Sequence, residues 1–88
     1  MNTTVFKYPL ATGGGGTGAF DLTLPVHWAP SMVAMQGDIP HLWAIVRRDA
    51  EVRPYRFQIS YTGESVADDA RHCGSWVNGQ KVYHLWLL

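Results

Sequence analysis

The sequence predicts an all-β domain, with about seven short antiparallel strands in a small sandwich or barrel. Three observations carry that prediction. Apolar and polar residues alternate with period two in several segments; in the clearest, Tyr55, Phe57, Ile59 and Tyr61 alternate with Arg56, Gln58, Ser60 and Thr62. No window of about eleven residues sustains the 3.6-residue period of an amphipathic helix. Finally, Asn78-Gly79 separates two apolar-patterned runs within residues 72–88, the strongest short-range signal for a β-hairpin.

In chain order, residues 3–8 (TTVFKY) are rich in β-branched and aromatic side chains and stop at Pro9, as an edge strand would. The glycine-rich run 12–18 (TGGGGTG) follows. Gly13, Gly15 and Gly18 match the spacing of a dinucleotide-binding fingerprint, but that motif must open a helix, and the next residues alternate with period two instead. A mobile hairpin loop is the expected form. Residues 19–24 (AFDLTL) place Phe20, Leu22 and Leu24 on one face of a half-buried strand, which Pro25 ends. His27, Trp28 and Pro30 belong to a loop or corner before a third strand at 31–36 (SMVAMQ).

Gly37-Asp38 and Pro40 mark the next turn. Residues 41–48 (HLWAIVRR) form a near-continuous apolar run, expected as a central strand covered on both faces. The alternating strand from Tyr55 comes next, and a turn at residues 62–65 leaves it. Residues 66–71 hold one helical turn at most. The terminal hairpin completes a meander that closes or folds over itself.

Eighty-eight residues make a single domain, 1–88, with a thin stability margin, because a chain of this size buries only about 60 to 65% of its unfolded surface. A lone cysteine, Cys73, excludes an intrachain disulfide, and no signal-peptide pattern opens the chain, so a cytosolic setting is expected. No apolar run approaches the roughly 20 residues of a membrane-spanning helix, and no membrane partner is expected. Seven basic residues balance seven acidic ones, which argues against a nucleic-acid binder and against an acidic DNA mimic. Four Trp, four Tyr and three Phe are a heavy aromatic load for so short a chain, enough to fill a core and still supply anchors for a partner.

A type I′ turn centred on Asn78-Gly79 pairs Val77 with Gln80, Trp76 with Lys81, Ser75 with Val82, Gly74 with Tyr83 and Cys73 with His84. Trp76, Lys81 and Tyr83 then share a face, with Trp76 stacked on the Lys81 ammonium. Ser75, Val82, His84 and Trp86 take the other face, so neither face is plainly polar. A terminal hairpin with two apolar faces is either central in a sandwich or half of an interface. An interface is the favoured reading, with Trp76, Lys81, Tyr83, Trp86 and Trp43 as its anchors and a homo-oligomer, dimer or higher, as one outcome.

Cys73 beside His84 would be the core of a thiol nucleophile, but no third group or cleft is evident, and a buried, inert cysteine is the ordinary alternative. Four histidines and Cys73 are enough ligands for zinc. Their spacing forms no C-x-x-C or H-x-x-x-H unit, and strand alternation puts His72 and His84 on opposite faces, so no metal and no cofactor is expected. Arg47, Arg48, Arg53 and Arg56 fall within ten residues and form a candidate anion patch near Trp43 and Tyr55; the ordinary alternative is a solvated strand end. Nothing pairs two carboxylates or sets a Ser-His-Asp order, and an enzyme is not expected.

Read together, Lys7-Tyr8 with Leu10, Leu24-Pro25, Gln36, Leu42-Trp43-Ala44 with Val46, Arg56-Phe57, Thr62-Gly63, Gly74-Ser75 and Val82 with His84 form a pattern. It resembles a family of short proteins of unknown function encoded by tailed bacteriophages and prophages. The resemblance spans most of the chain and departs at the glycine run and at His27-Trp28. It implies a phage origin, a small β fold and the cytoplasm of an infected bacterium as the setting, and it supplies no active site.

With that resemblance, the leading expectation is a small non-enzymatic accessory protein that binds and inhibits or redirects a host protein, in the manner of counter-defence proteins such as anti-CRISPR inhibitors. Two alternatives stand beside it. One is an oligomeric sponge for a nucleotide signal, gripping phosphates with the arginines and stacking the base on a Trp; the other is a minor virion or assembly component.

Overall fold

The computed structural model describes residues 2–11 and 17–88 of the chain. The described residues form seven strands and no helix: β1 Thr3–Pro9, β2 Gly18–Pro25, β3 Ala29–Gln36, β4 Ile39–Arg47, β5 Val52–Tyr61, β6 Arg71–Asn78 and β7 Lys81–Leu87. Every pairing is antiparallel. Two sheets result, ordered β1-β4-β3 and β2-β5-β7-β6, and they pack face to face as a sandwich rather than closing into a barrel. Most of the glycine-rich run, residues 12–16, lies outside the described residues. No helix of the described residues is long and apolar enough to cross a membrane.

The period-two patterns explain which faces meet. Phe57 opposite Phe20 on β2 and Ile59 opposite Leu85 on β7 point inward from the four-stranded sheet. Leu42, Ala44 and Val46 of β4 and Val33 of β3 point inward from the three-stranded one. Leu42, Val46, Phe57, Ile59, Leu85 and Leu24 are almost wholly removed from water. Each such burial contributes about 1.5–3 kcal/mol, so the core rests on the central strands β4, β5 and β7 with β2. Phe20 stacks on Phe57 at 5.9 Å, and Trp28 tilts onto Phe57 at 5.6 Å.

Three expectations need correction. The chain is not a simple meander: β1 pairs with β4, β2 with β5 and β5 with β7, pairings between distant segments that local patterning does not encode. The β4 run is central in its sheet but covered on one face only; Ile45 on the other face is 40% exposed. The hairpin turn also moves by one residue. Asn78 pairs with Lys81, and Gly79 has φ +65° while Gln80 does not enter the left-handed region. Gly79-Gln80 are therefore the central pair, and glycine at the first central position is what a type II′ turn requires.

Moving the turn by one residue moves each partner by two, which preserves the faces but changes the pairs. Trp76 faces Tyr83, Ser75 faces His84 and Gly74 faces Leu85. A bulge then inserts Cys73 as an unpaired residue, and beyond it His72 faces Trp86. An extra residue inverts the alternation, so His72 crosses to the face that carries His84.

The two sheets come closest where β3 crosses β6. A Cβ built on Gly74 would stand 2.7 Å from Val33 Cγ2 and 3.1 Å from Val33 Cβ. Only glycine leaves room for the branched, buried Val33 at that crossing.

Candidate functional site

Among the described residues, two surfaces and a cleft stand out in this arrangement. The first surface is the outer face of the three-stranded sheet. Register pairs Val5 with Ile45 and Trp43 with Met32, so four apolar side chains adjoin one another on that face. Val5 is 48%, Met32 49% and Ile45 40% exposed, and Trp43 is half-buried beside them. Strands β1, β3 and β4 contain no Asp or Glu, while Lys7 and Arg47 lie on the same outer face. Lys7 Nζ donates to Gln36 Oε1 at 2.5 Å. His41, at the end of this face, is buried and donates from Nδ1 to the Ile39 carbonyl at 2.9 Å, a structural role.

The second surface is the outer face of the four-stranded sheet. Trp86 Nε1 donates to the buried Ser60 Oγ at 3.0 Å, and His72 meets Trp86 edge-on with ring centroids 4.9 Å apart. His84 Nε2 lies 2.9 Å from Thr62 Oγ1, and His84 Nδ1 lies 3.2 Å from His72 Nε2. The expectation that His72 and His84 are kept apart is thus overturned, by the bulge at Cys73. One proton fits between the two rings: a Thr62 hydroxyl that donates to His84 requires His84 Nδ1–H to donate to His72. With Thr62 instead donating to the Val82 carbonyl 3.3 Å away, the direction reverses. Among the described residues no cluster of three or more His, Cys, Asp or Glu side chains is placed to hold a metal ion.

Of the sequence-derived anchors, Trp76 is 6% exposed and packs edge-on against Tyr83 at 5.4 Å, inside the sandwich. It is a core residue, because the face it shares with Tyr83 and Leu85 turns toward β3. Lys81 stands over the Tyr61 ring, 4.4 Å from its centroid, and not over Trp76. Tyr83 is half-buried on that inner face; Trp86 and Trp43 are half-buried on the two outer faces. Cys73 and His84 are not cross-strand partners.

The arginines do not converge on one patch. Arg47 pairs with Asp49 at 3.7 Å, Arg56 with Asp21 at 3.1 Å, and Arg53 Nε with Glu51 at 2.8 Å. Arg48 lies over the Phe6 ring at 5.8 Å. Arg53 and Arg56, three residues apart on one strand, necessarily point to opposite faces. Such exposed pairs contribute about 0–1 kcal/mol each, as in an ordinary solvated strand end.

The cleft has no counterpart in the sequence reading. It opens where the edges of the two sheets part, with a volume of about 270 Å³, between Pro30 on β3 and Arg71, His72 and Cys73 on β6. His27, Trp28, Tyr55 and Leu87 complete its lining. Trp28 meets Tyr55 edge-on at 5.9 Å. Burial pushes the Cys73 thiol pKa upward, against smaller opposing contributions from the Leu87 backbone and the Arg71 charge, and Sγ lies 3.6 Å from the Arg71 carbonyl. A thiol held protonated in this way is a poor nucleophile. The cleft draws on four separated segments, so no contiguous motif announces it; the one local signal was the odd aromatic turn at His27-Trp28.

A family model described as a domain of unknown function, DUF7352, matches residues 1–88. No curated protein and no solved structure matches the chain.

Proposed function

We propose that this chain, which belongs to the DUF7352 family over its whole length, is a non-enzymatic binding domain that meets a host protein through the outer face of the β1-β4-β3 sheet. The observation that carries the reading is the adjacent, exposed set Val5, Met32 and Ile45 around Trp43. Contiguous exposed apolar side chains on a small domain mark an interaction surface, and aromatic anchors dominate such interfaces. Lys7 at its margin, with no carboxylate in those three strands, favours a partner that is apolar at the centre of its patch and acidic at the rim.

On the phage or prophage origin that the sequence pattern implies, the role is that of an accessory protein acting in the cytoplasm of an infected bacterium. It inhibits or redirects the host protein it binds, as counter-defence proteins of the anti-CRISPR kind do. Occlusion alone suffices for inhibition, and an 88-residue sandwich presents a rigid sheet face for it.

The test is affinity capture from host lysate by the wild-type chain and by Val5→Glu/Ile45→Glu, with Val77→Glu/Val82→Glu as the second arm. Both pairs of positions are exposed, so both variants keep the fold. A host protein retained by wild type and by the hairpin variant, and lost by the sheet-face variant, supports the reading. Retention by the sheet-face variant refutes it. A mass change in the free protein, with no host partner, assigns the face to a second copy of the chain and also refutes it.

A further inference from the structure

We propose that the cleft between β3 and β6 binds a small planar aromatic anion, such as a ring that carries a carboxylate or phosphate, independently of the protein-binding face. Shape and lining argue for the ring. At about 270 Å³ the cleft lies just below the range that holds drug-sized ligands, which suits one ring system with a short substituent. Trp28 and Tyr55 form an edge-to-face wall, and Leu87 adds apolar surface beneath it. A flat ligand can stack there as a further aromatic.

Charge argues for the anion. Among the described residues no carboxylate lines the cleft; its ionisable lining includes Arg71, His27, Tyr55 and Cys73, while the His72 ring, though it borders the cleft, is engaged by His84 and Trp86. Arg71 is exposed and, among the described residues, forms no salt bridge, unlike Arg47, Arg53 and Arg56. Its guanidinium is therefore available for a two-pronged hydrogen bond to a carboxylate or phosphate. The chain has no net charge, so an arginine outside any salt bridge, with no carboxylate among the described lining residues, is a property of the cleft and not of the whole surface.

His27 is an independent pointer. It is the one non-glycine residue at positive φ among those described, at +62°. Glycine would hold that turn without strain, and a side chain kept at a strained position is a signature of functional sites. His27 lines the cleft together with Arg71.

The experiment is a two-dimensional amide NMR titration of the full chain with benzoate and with adenosine 5′-monophosphate. Benzamide, a ring without charge, and inorganic phosphate, a charge without a ring, serve as controls. The expected result is saturable shifts confined to residues 27–29, 55, 71–73 and 87 with one or both ring anions, at dissociation constants near or below about 1 mM. Arg71→Ala and His27→Gly each weaken that binding about tenfold, the loss of one charge-assisted hydrogen bond. Both variants keep the fold, since Arg71 is exposed and glycine relieves the turn. Equal shifts with benzamide or phosphate, unchanged affinity in Arg71→Ala, or no localised shift up to about 10 mM of either ring anion overturns the proposal.

Discussion

Gly74→Ala tests the crossing of β3 over β6 that holds the two sheets together. The added methyl would lie 2.7 Å from Val33 Cγ2 and 3.1 Å from Cβ, against about 3.5–4.0 Å for a carbon pair at its optimum. Val33 is 7% exposed and β-branched, so its χ1 rotation cannot clear the space. Overpacking of this kind costs about 1–3 kcal/mol, offset by about 0.4–1 kcal/mol because alanine narrows the unfolded ensemble. The net loss centres on about 1.3 kcal/mol, which lowers Tm by about 5–10 °C in a domain of this size. The Val33→Ala background removes Cγ2, the closer of the two clashing atoms, and leaves Cβ at 3.1 Å, so there Gly74→Ala costs less than in the wild-type background. Urea unfolding of the four proteins in this double-mutant cycle should give a coupling energy of about 1–3 kcal/mol. Gly74→Ala with unchanged or raised stability, or with the same cost in both backgrounds, would show that the sheets do not cross at this contact.

Three further outcomes follow from the same geometry. Gly79→Ala should cost about 1–2 kcal/mol in urea unfolding, because an L-residue must adopt φ near +65°, while Asn78→Ala changes stability by less than about 0.5 kcal/mol. A large Asn78→Ala effect would restore the turn to Asn78-Gly79. Ser60→Ala should cost about 0.5–1.5 kcal/mol and alter Trp86 fluorescence, since it removes the acceptor of the Trp86 Nε1 hydrogen bond; an unaltered spectrum would contradict that bond. Burial raises the Cys73 thiol pKa in the folded chain, so the unfolded chain loses that proton first. The contribution of Cys73 to stability is complete below the ordinary thiol range and falls as pH rises through it toward the folded value, a decline that Cys73→Ala should lack. Equal pH profiles for the two proteins would contradict the burial of the thiol.

What could be read from the chain was whatever repeats locally. The alternation of Tyr55, Phe57, Ile59 and Tyr61 identifies β5 and its inward face, because a half-buried strand imposes period two on its own sequence; Phe20 and Leu24 do the same for β2. The hairpin was legible as a hairpin but not in register, since glycine after asparagine serves either as the second residue of a type I′ turn or as the first of a type II′ turn. The bulge at Cys73 carries no local mark, yet it decides that His72 meets His84. Trp76 and Trp86 illustrate the limit on site residues. Both lie in strands with apolar residues on each face, and only the position of β3 over β6 buries the first and leaves the second on the outside. The outer face of the three-stranded sheet was missed for a related reason. Val5 and Ile45 are forty residues apart in sequence and become neighbours only when β1 pairs with β4.

The proposed meeting of this domain with a host protein is through the outer face of the β1-β4-β3 sheet. The most direct measurement is photocrosslinking in the bacterial host with benzoylphenylalanine placed singly at Ile45, at Val77 and at Asp21, all exposed positions. One host protein is expected to crosslink from position 45 and none from positions 77 or 21. A crosslink to that protein from position 77 alone, or a crosslink from position 45 only to a second copy of this chain, would contradict it.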